Sequence, residues 1–145
     1  MGEIKLLDCT LRDGGYINNW KFGKETITGI LDRLSMAEID LIECGFITEK
    51  TVNDNYSLFA DADSVNEYIN QPSAKSMYVA MIAIGEKEIN PELICNASDT
   101  IIDGIRITFH PDEIKKAFEW ANILKKKGYK VFVQPVGSAN YDDEL

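Results

Sequence analysis

The chain has 145 residues, a formal net charge of −9, and 45% hydrophobic against 27% charged residues. That length holds one domain with a proper core and not two, and the acidic balance argues against nucleic acid or an anionic membrane as the main partner. No signal-peptide-like start or bilayer-length apolar run is present, and three widely spaced cysteines (Cys9, Cys44, Cys95) fit free thiols in a reducing cytoplasm rather than disulfides or a zinc site.

In chain order, Ile4 to Cys9 reads as a first strand. Directly behind it, Leu11-Arg12-Asp13-Gly14-Gly15 sets a cation beside a carboxylate where the chain breaks on paired glycines. In barrels and open α/β sheets, the carboxyl ends of the strands are where ligands bind. Lys24 to Met36 carries Ile27, Ile30, Leu31 and Leu34 at helical spacing. Ile39 to Phe46 is a second buried strand, with Cys44 inside it. A helical segment is predicted around Ser57 to Ile69, a turn at Pro72, a third strand from Met77 to Ile84, and a short helix from Pro91 to Asn96. Ile101 to Phe109 contains the fourth strand. Pro111 opens a helix with Asp112 and Glu113 in its first turn and an apolar face of Ile114, Ala117, Phe118, Ala121 and Leu124. Lys125-Lys126-Lys127 before Gly128 complement its dipole. Tyr129 to Val133 is the fifth strand, and Asp142 to Leu145 reads as the first turn of another helix.

Strands alternating with helices predict a parallel sheet. Two architectures fit: an open doubly wound sheet, or the first part of an eight-stranded βα barrel. A full barrel runs to about 250 residues, so five strands are a little over half of one, with an open edge and an uncovered face.

On a shared rim, the first strand contributes Arg12 and Asp13, the second Glu43, the fourth Arg106, Thr108 and His110, and the fifth Gln134. Alternation turns Arg106, Thr108 and His110 to one face and Ile105, Ile107 and Phe109 to the other. Glu43 in an apolar strand needs a partner, and Arg12 is the obvious one. Asp13 is a hard oxygen donor suited to Mg²⁺ or Mn²⁺, and Arg12 beside it suits a developing oxyanion. Arg106 and Thr108 suit a substrate carboxylate. Each also has a structural reading: an ion-pair network for Arg12, Asp13 and Glu43, an interior barrel layer for Arg106 and Thr108, and helix entry for His110. Asp8 and Thr10 are expected to tie the loop backbone. Tyr16, Asn19 and Trp20 either line a pocket or plug the barrel end.

These residues are recognisable as a set. Asp8-Cys9-Thr10-Leu11-Arg12-Asp13-Gly14 resembles the signature of the pyruvate carboxyltransferase-like, HMG-CoA lyase-like or DRE-TIM metallolyase superfamily. Ile42-Glu43-Cys44-Gly45-Phe46 resembles that family's glutamate-bearing strand, and Arg106-Ile107-Thr108 is similar to its Arg-x-Ser/Thr carboxylate-binding pattern. With Asn19-Trp20-Lys21-Phe22 following the glycines, the likeness is greatest to bacterial aldolase-like proteins of the 4-hydroxy-2-oxovalerate aldolase type.

The resemblance implies that residues 1–145 are the N-terminal part of a TIM (β/α)8 barrel, about five βα units long, ending after the fifth strand. It implies a cytoplasmic, divalent-metal-dependent aldolase or lyase acting on a 2-oxo acid through a pyruvate-type enolate. Asp13 would be a ligand of Mn²⁺ or Mg²⁺, with the remaining ligands beyond residue 145 and this stretch inactive alone. Arg12 would steady the enolate, Glu43 would orient Arg12, and Arg106, Thr108, Gln134 and His110 would bind substrate. Gly15 and Tyr16 stand where the family carries other residues, including a histidine base, which leaves the general base open. The alternatives are a Claisen-type acyl-CoA condensing synthase, or a non-catalytic half-barrel that associates with itself along its open edges.

Overall fold

The structure, a computed structural model, describes residues 4–140. Its strands are β1 (Leu7–Asp8), β2 (Leu41–Ile47), β3 (Leu58–Phe59), β4 (Met77–Ala83), β5 (Gly104–Phe109) and β6 (Lys130–Pro135). The order β1-β2-β4-β5-β6 runs across the sheet in chain order, with every pairing parallel. A doubly wound sheet reverses its order at a switch point. This one does not, and the architecture is a parallel half-barrel.

The two faces differ as the alternation requires. Outward, Ile42, Cys44, Tyr78, Ile82, Ile105 and Ile107 merge with the apolar faces of two long helices into the main core. Those helices form where the apolar residues recur at helical spacing. Inward, Phe46, Met81 and Ala83 close around Trp20 in a separate small cluster. Glu43 and Phe46 are three residues apart, so strict alternation would put them on opposite faces. A register shift between them, at Gly45 with φ +147°, turns both inward. β3 pairs with β2 beyond that shift, at Phe46 and Ile47.

Several elements depart from the sequence expectations. The first strand is two residues long, not six, because β2 begins pairing at Leu41 opposite Leu7, and because the carbonyl of Cys9 starts a helical turn by accepting from Asp13 N at 2.7 Å. Ile4 and Leu6 are exposed on that edge. The helix around Ser57 to Ile69 is instead the strand β3 followed by a 3-10 segment, Asp63–Tyr68, since Leu58 and Phe59 are taken by β2. Pro91 to Asn96 is reduced to one 3-10 turn at Pro91–Leu93, started by Asn90. Two short helices, α1 (Thr10–Asp13) and α2 (Gly15–Asn18), precede the long helices of the outer layer, α3 (Lys24–Met36) and α4 (Ile114–Lys126). Phe118 of α4 does not belong to the buried face; it is 54% exposed, and Trp120 packs against the core instead. The segment Asp142 to Leu145 lies outside the described residues. No helix among the described residues is long and apolar enough to cross a membrane.

The register shift makes Gly45 a sharp test of this geometry. A Cβ there would stand 2.3 Å from the Ser57 carbonyl oxygen, at a φ that side chains rarely adopt. Gly45→Ala is expected to destabilise the fold by about 2–3 kcal/mol in urea unfolding. An unchanged midpoint would show that β3 does not press on β2 in this way.

Candidate active site

Arg12 and Asp13 sit in the helical turn α1 at the carboxyl end of β1, not in an open loop. The Asp8 carboxylate begins that turn, accepting from Thr10 N and from the Thr10 hydroxyl, both at 3.0 Å. Its last carbonyls are held from outside. Ser57 Oγ donates to Leu11 O and Trp20 Nε1 donates to Arg12 O, each at 2.7 Å. Trp20 is buried, with its ring edge-on to Phe46 at 5.6 Å and to Tyr16 at 4.9 Å. Only glycine fits under it at position 15, where a Cβ would come within 2.0 Å of the indole.

Glu43 is 1% exposed and lies between two guanidinium groups. Arg12 Nε donates to its Oε2 at 2.7 Å, and Arg106 Nη1 donates to its Oε1 at 2.5 Å. Arg12 Nη1 also donates to Asp13 Oδ1 at 2.9 Å. The result is a row of alternating charge, Asp13, Arg12, Glu43, Arg106, whose sum is zero. Burial works against the Arg12 charge, but the hydrogen bond and attraction from Glu43, with Asp13 behind them, hold its pKa above the ordinary value. Cys9 lies beside this row, its sulfur 4.0 Å from Arg106 Nη1. Burial first, then the Glu43 carboxylate, push that thiol up.

Above the row is an open cavity of about 340 Å³ at the carboxyl ends of the strands, lined by Arg12, Asp13, Tyr16, Thr108, His110 and Gln134 among others. Five of the seven residues expected to share a rim therefore meet there. Thr108 and Gln134 are register neighbours on β5 and β6. His110 lines the cavity and also enters the next helix, its backbone N–H donating to Glu113 at 2.9 Å. Glu43 and Arg106 do not line the cavity. They are buried one level deeper, because both strands continue past them. Arg106 was expected to meet a substrate carboxylate; here it is 7% exposed and bonded to Glu43. The sequence pattern did not expose Glu86, which also lines the cavity, because a loop beyond β4 carries it there.

A divalent cation is implied by the resemblance, and the donors present fit it in part. Asp13 has a carboxylate side chain 66% exposed, with only Oδ1 taken by Arg12. Among the described residues, however, it belongs to no group of three metal-ligating side chains. The group that does gather three is elsewhere: Asp61, Asp63 and Cys95. Its donors already serve the fold. Asp61 accepts from Ala62 N at 2.6 Å and Cys95 N at 3.0 Å, and the Cys95 sulfur lies 3.6 Å from the Tyr129 hydroxyl.

The fold is similar to that of the N-terminal domain of a putative aldolase from Bacteroides vulgatus, with a TM-score of 0.67 and 27% sequence identity. The likeness covers 97% of this chain and 48% of that one, so the chain spans about half the length of the structure it matches. The half-barrel is the N-terminal portion of a TIM-barrel-like fold. No protein-family profile matches the chain, and no curated protein does.

Glu43→Gln would leave two buried guanidinium groups facing a neutral amide, and it is expected to cost about 3–5 kcal/mol in urea unfolding; a loss below that of an ordinary surface change would contradict the buried pairing. Calorimetry of this chain with Mn²⁺ is expected to show no tight binding. A steep one-to-one isotherm would show that Asp13 or the Asp61 group already forms a complete site.

Proposed function

We propose that this chain forms the N-terminal part of an aldolase that makes or breaks a carbon–carbon bond in a 2-oxo acid through an enolate. The observation that supports it best is the row of alternating charge that ends at an open cavity on the carboxyl rim of a parallel half-barrel. The likeness to the N-terminal domain of a putative aldolase points the same way.

Arg12 is the central residue. Its Nε is committed to Glu43 and its Nη1 to Asp13, which leaves Nη2 to meet an oxygen on which negative charge develops. Its charge is secure, because the two carboxylates hold it. A donor fixed before the reaction needs no reorganisation as the enolate forms. Glu43 and Arg106 act through Arg12 as positioning residues. The Thr108 hydroxyl, the Gln134 amide and the His110 ring offer the substrate hydrogen bonds from the opposite wall. Asp13 is proposed as one ligand of Mn²⁺ or Mg²⁺, which would polarise the carbonyl as a Lewis acid when bound.

The test is exchange of pyruvate methyl protons in deuterated water with Mn²⁺ present, followed by NMR in the protein as the cell makes it. Arg12→Gln and Asp13→Asn are each expected to slow exchange by about a hundredfold or more. Exchange that is unchanged in both variants, or absent from the unsubstituted protein, would overturn the reading.

A further inference from the structure

The tight turn after β4 folds back on the strand. Ala83 N donates to Lys87 O and Lys87 N to Ala83 O, both at 2.9 Å. This turn lays the Lys87 side chain over the inner cluster. Its ammonium stands 3.8 Å from the centre of the Trp20 ring, 5.2 Å from Phe46 and 5.6 Å from Tyr16. Tyr16, Phe46 and Glu86, the preceding residue, line the cavity, whereas Lys87 and Trp20 stand next to those rings and outside its lining.

The other cations at this end of the sheet have oxygen partners. Arg12 and Arg106 share Glu43, Lys50 Nζ donates to Glu86 O, and Lys116 pairs with Glu88 at 2.9 Å. Lys87 forms no ion pair within 4.0 Å among the described residues and donates no side-chain hydrogen bond there. Glu86 attracts it only through space. Aromatic faces favour a cation by their quadrupole, but they carry no net charge and accept no conventional hydrogen bond. An ammonium has three donors, so this one is oriented by its platform and still lacks an anion. Partial burial leaves it short of water as well, and lowers its pKa.

We propose that Lys87, held on the Trp20, Phe46 and Tyr16 rings beside the cavity that Tyr16 and Phe46 line, is the docking cation for a carboxylate of the substrate at that edge. This rests on the reading of the cavity as a 2-oxo acid site, and it supplies the carboxylate partner that Arg106, bound to Glu43, was expected to be. A carboxylate fits better than a phosphate. One ammonium is available, and the neighbouring turn amides are used: Gly85 N by Glu88, and Glu86 N and Lys87 N by Ala83 O. A phosphate calls for several such donors together.

Trp20 makes the proposal directly readable. The chain has two tryptophans, so Trp120→Phe leaves Trp20 as the sole reporter, in contact with the ammonium. Succinate added to the Trp120→Phe chain is expected to change Trp20 fluorescence saturably, and inorganic phosphate to do so more weakly. Adding Lys87→Met keeps an apolar stem on the ring; it is expected to weaken succinate binding at least about tenfold, as loss of a charged partner does. Lys87→Arg should retain it. Circular dichroism and thermal melting of each variant separate binding from folding. Equal succinate affinity with and without the Lys87 charge, no saturable response at all, or phosphate binding as tightly as succinate would each overturn the proposal. Failure of pyruvate exchange together with succinate binding that needs Lys87 would remove the enolate reading and leave this site standing.

Discussion

A single buried carboxylate governs the arrangement of this half-barrel. Glu43 is on β2, Arg12 on the turn beyond β1, and Arg106 two strands away on β5, so its two ion pairs tie distant parts of the sheet across the inner face. Isolating such a charge from water is costly by several kcal/mol, and the return is secure only when geometry and hydrogen bonds are good on both oxygens. Both oxygens of Glu43 are bonded here. The surroundings explain how the strands accommodate it: the shift at Gly45 lets Glu43 and Phe46 share the inner face, and Phe46 then roofs the space beside it.

The same arrangement shapes the chemistry open to the cavity. An apolar inner face would serve stability as well or better, since well-packed hydrophobic residues often replace buried ion pairs without loss. What the charges add is direction. Arg12 is gripped on two sides, its backbone is pinned by Trp20, and its remaining edge belongs to the cavity. The lining includes neutral donors from β5 and β6, and beside the cavity a cation rests on aromatic rings. The site is polarised before any ligand arrives.

Much of this was legible in the residues. The helix at Lys24–Met36 has the predicted bounds, because apolar spacing and chain direction agree there. The inward turn of Arg106 and Thr108 follows from simple alternation, and the pairing of Glu43 with Arg12 from the cost of an unpaired carboxylate. Other features depend on distant partners that no local pattern reveals. Arg106 reaches Glu43 only because β4 lies between β2 and β5 at a particular register. Ser57 reads as the start of a helical segment, yet its hydroxyl fixes the turn that holds Arg12. No local pattern marks Lys87 either; the turn at Gly85 sets it on Trp20. Segment 57–69 misled because its helical spacing competes with a strand edge on β2, and the edge prevails over Leu58 and Phe59.

The brevity of β1 has a kinetic consequence. Only Leu7 and Asp8 are paired in the sheet, whereas β2, β4 and β5 form its long inner ladders. Local opening starts where few backbone bonds and little apolar contact must be broken. The N-terminal segment should therefore detach and re-dock as a unit, held chiefly by the buried Leu11, by Arg12 on Glu43 and by the Ser57 and Trp20 clamps. Amide exchange would register this as faster deuteration of residues 7–13 than of β4, with Arg12 leaving its carboxylate each time. The residue at the centre of the proposed chemistry thus follows one of the two shortest strands of the sheet, so the active arrangement is a docked state with a lifetime of its own.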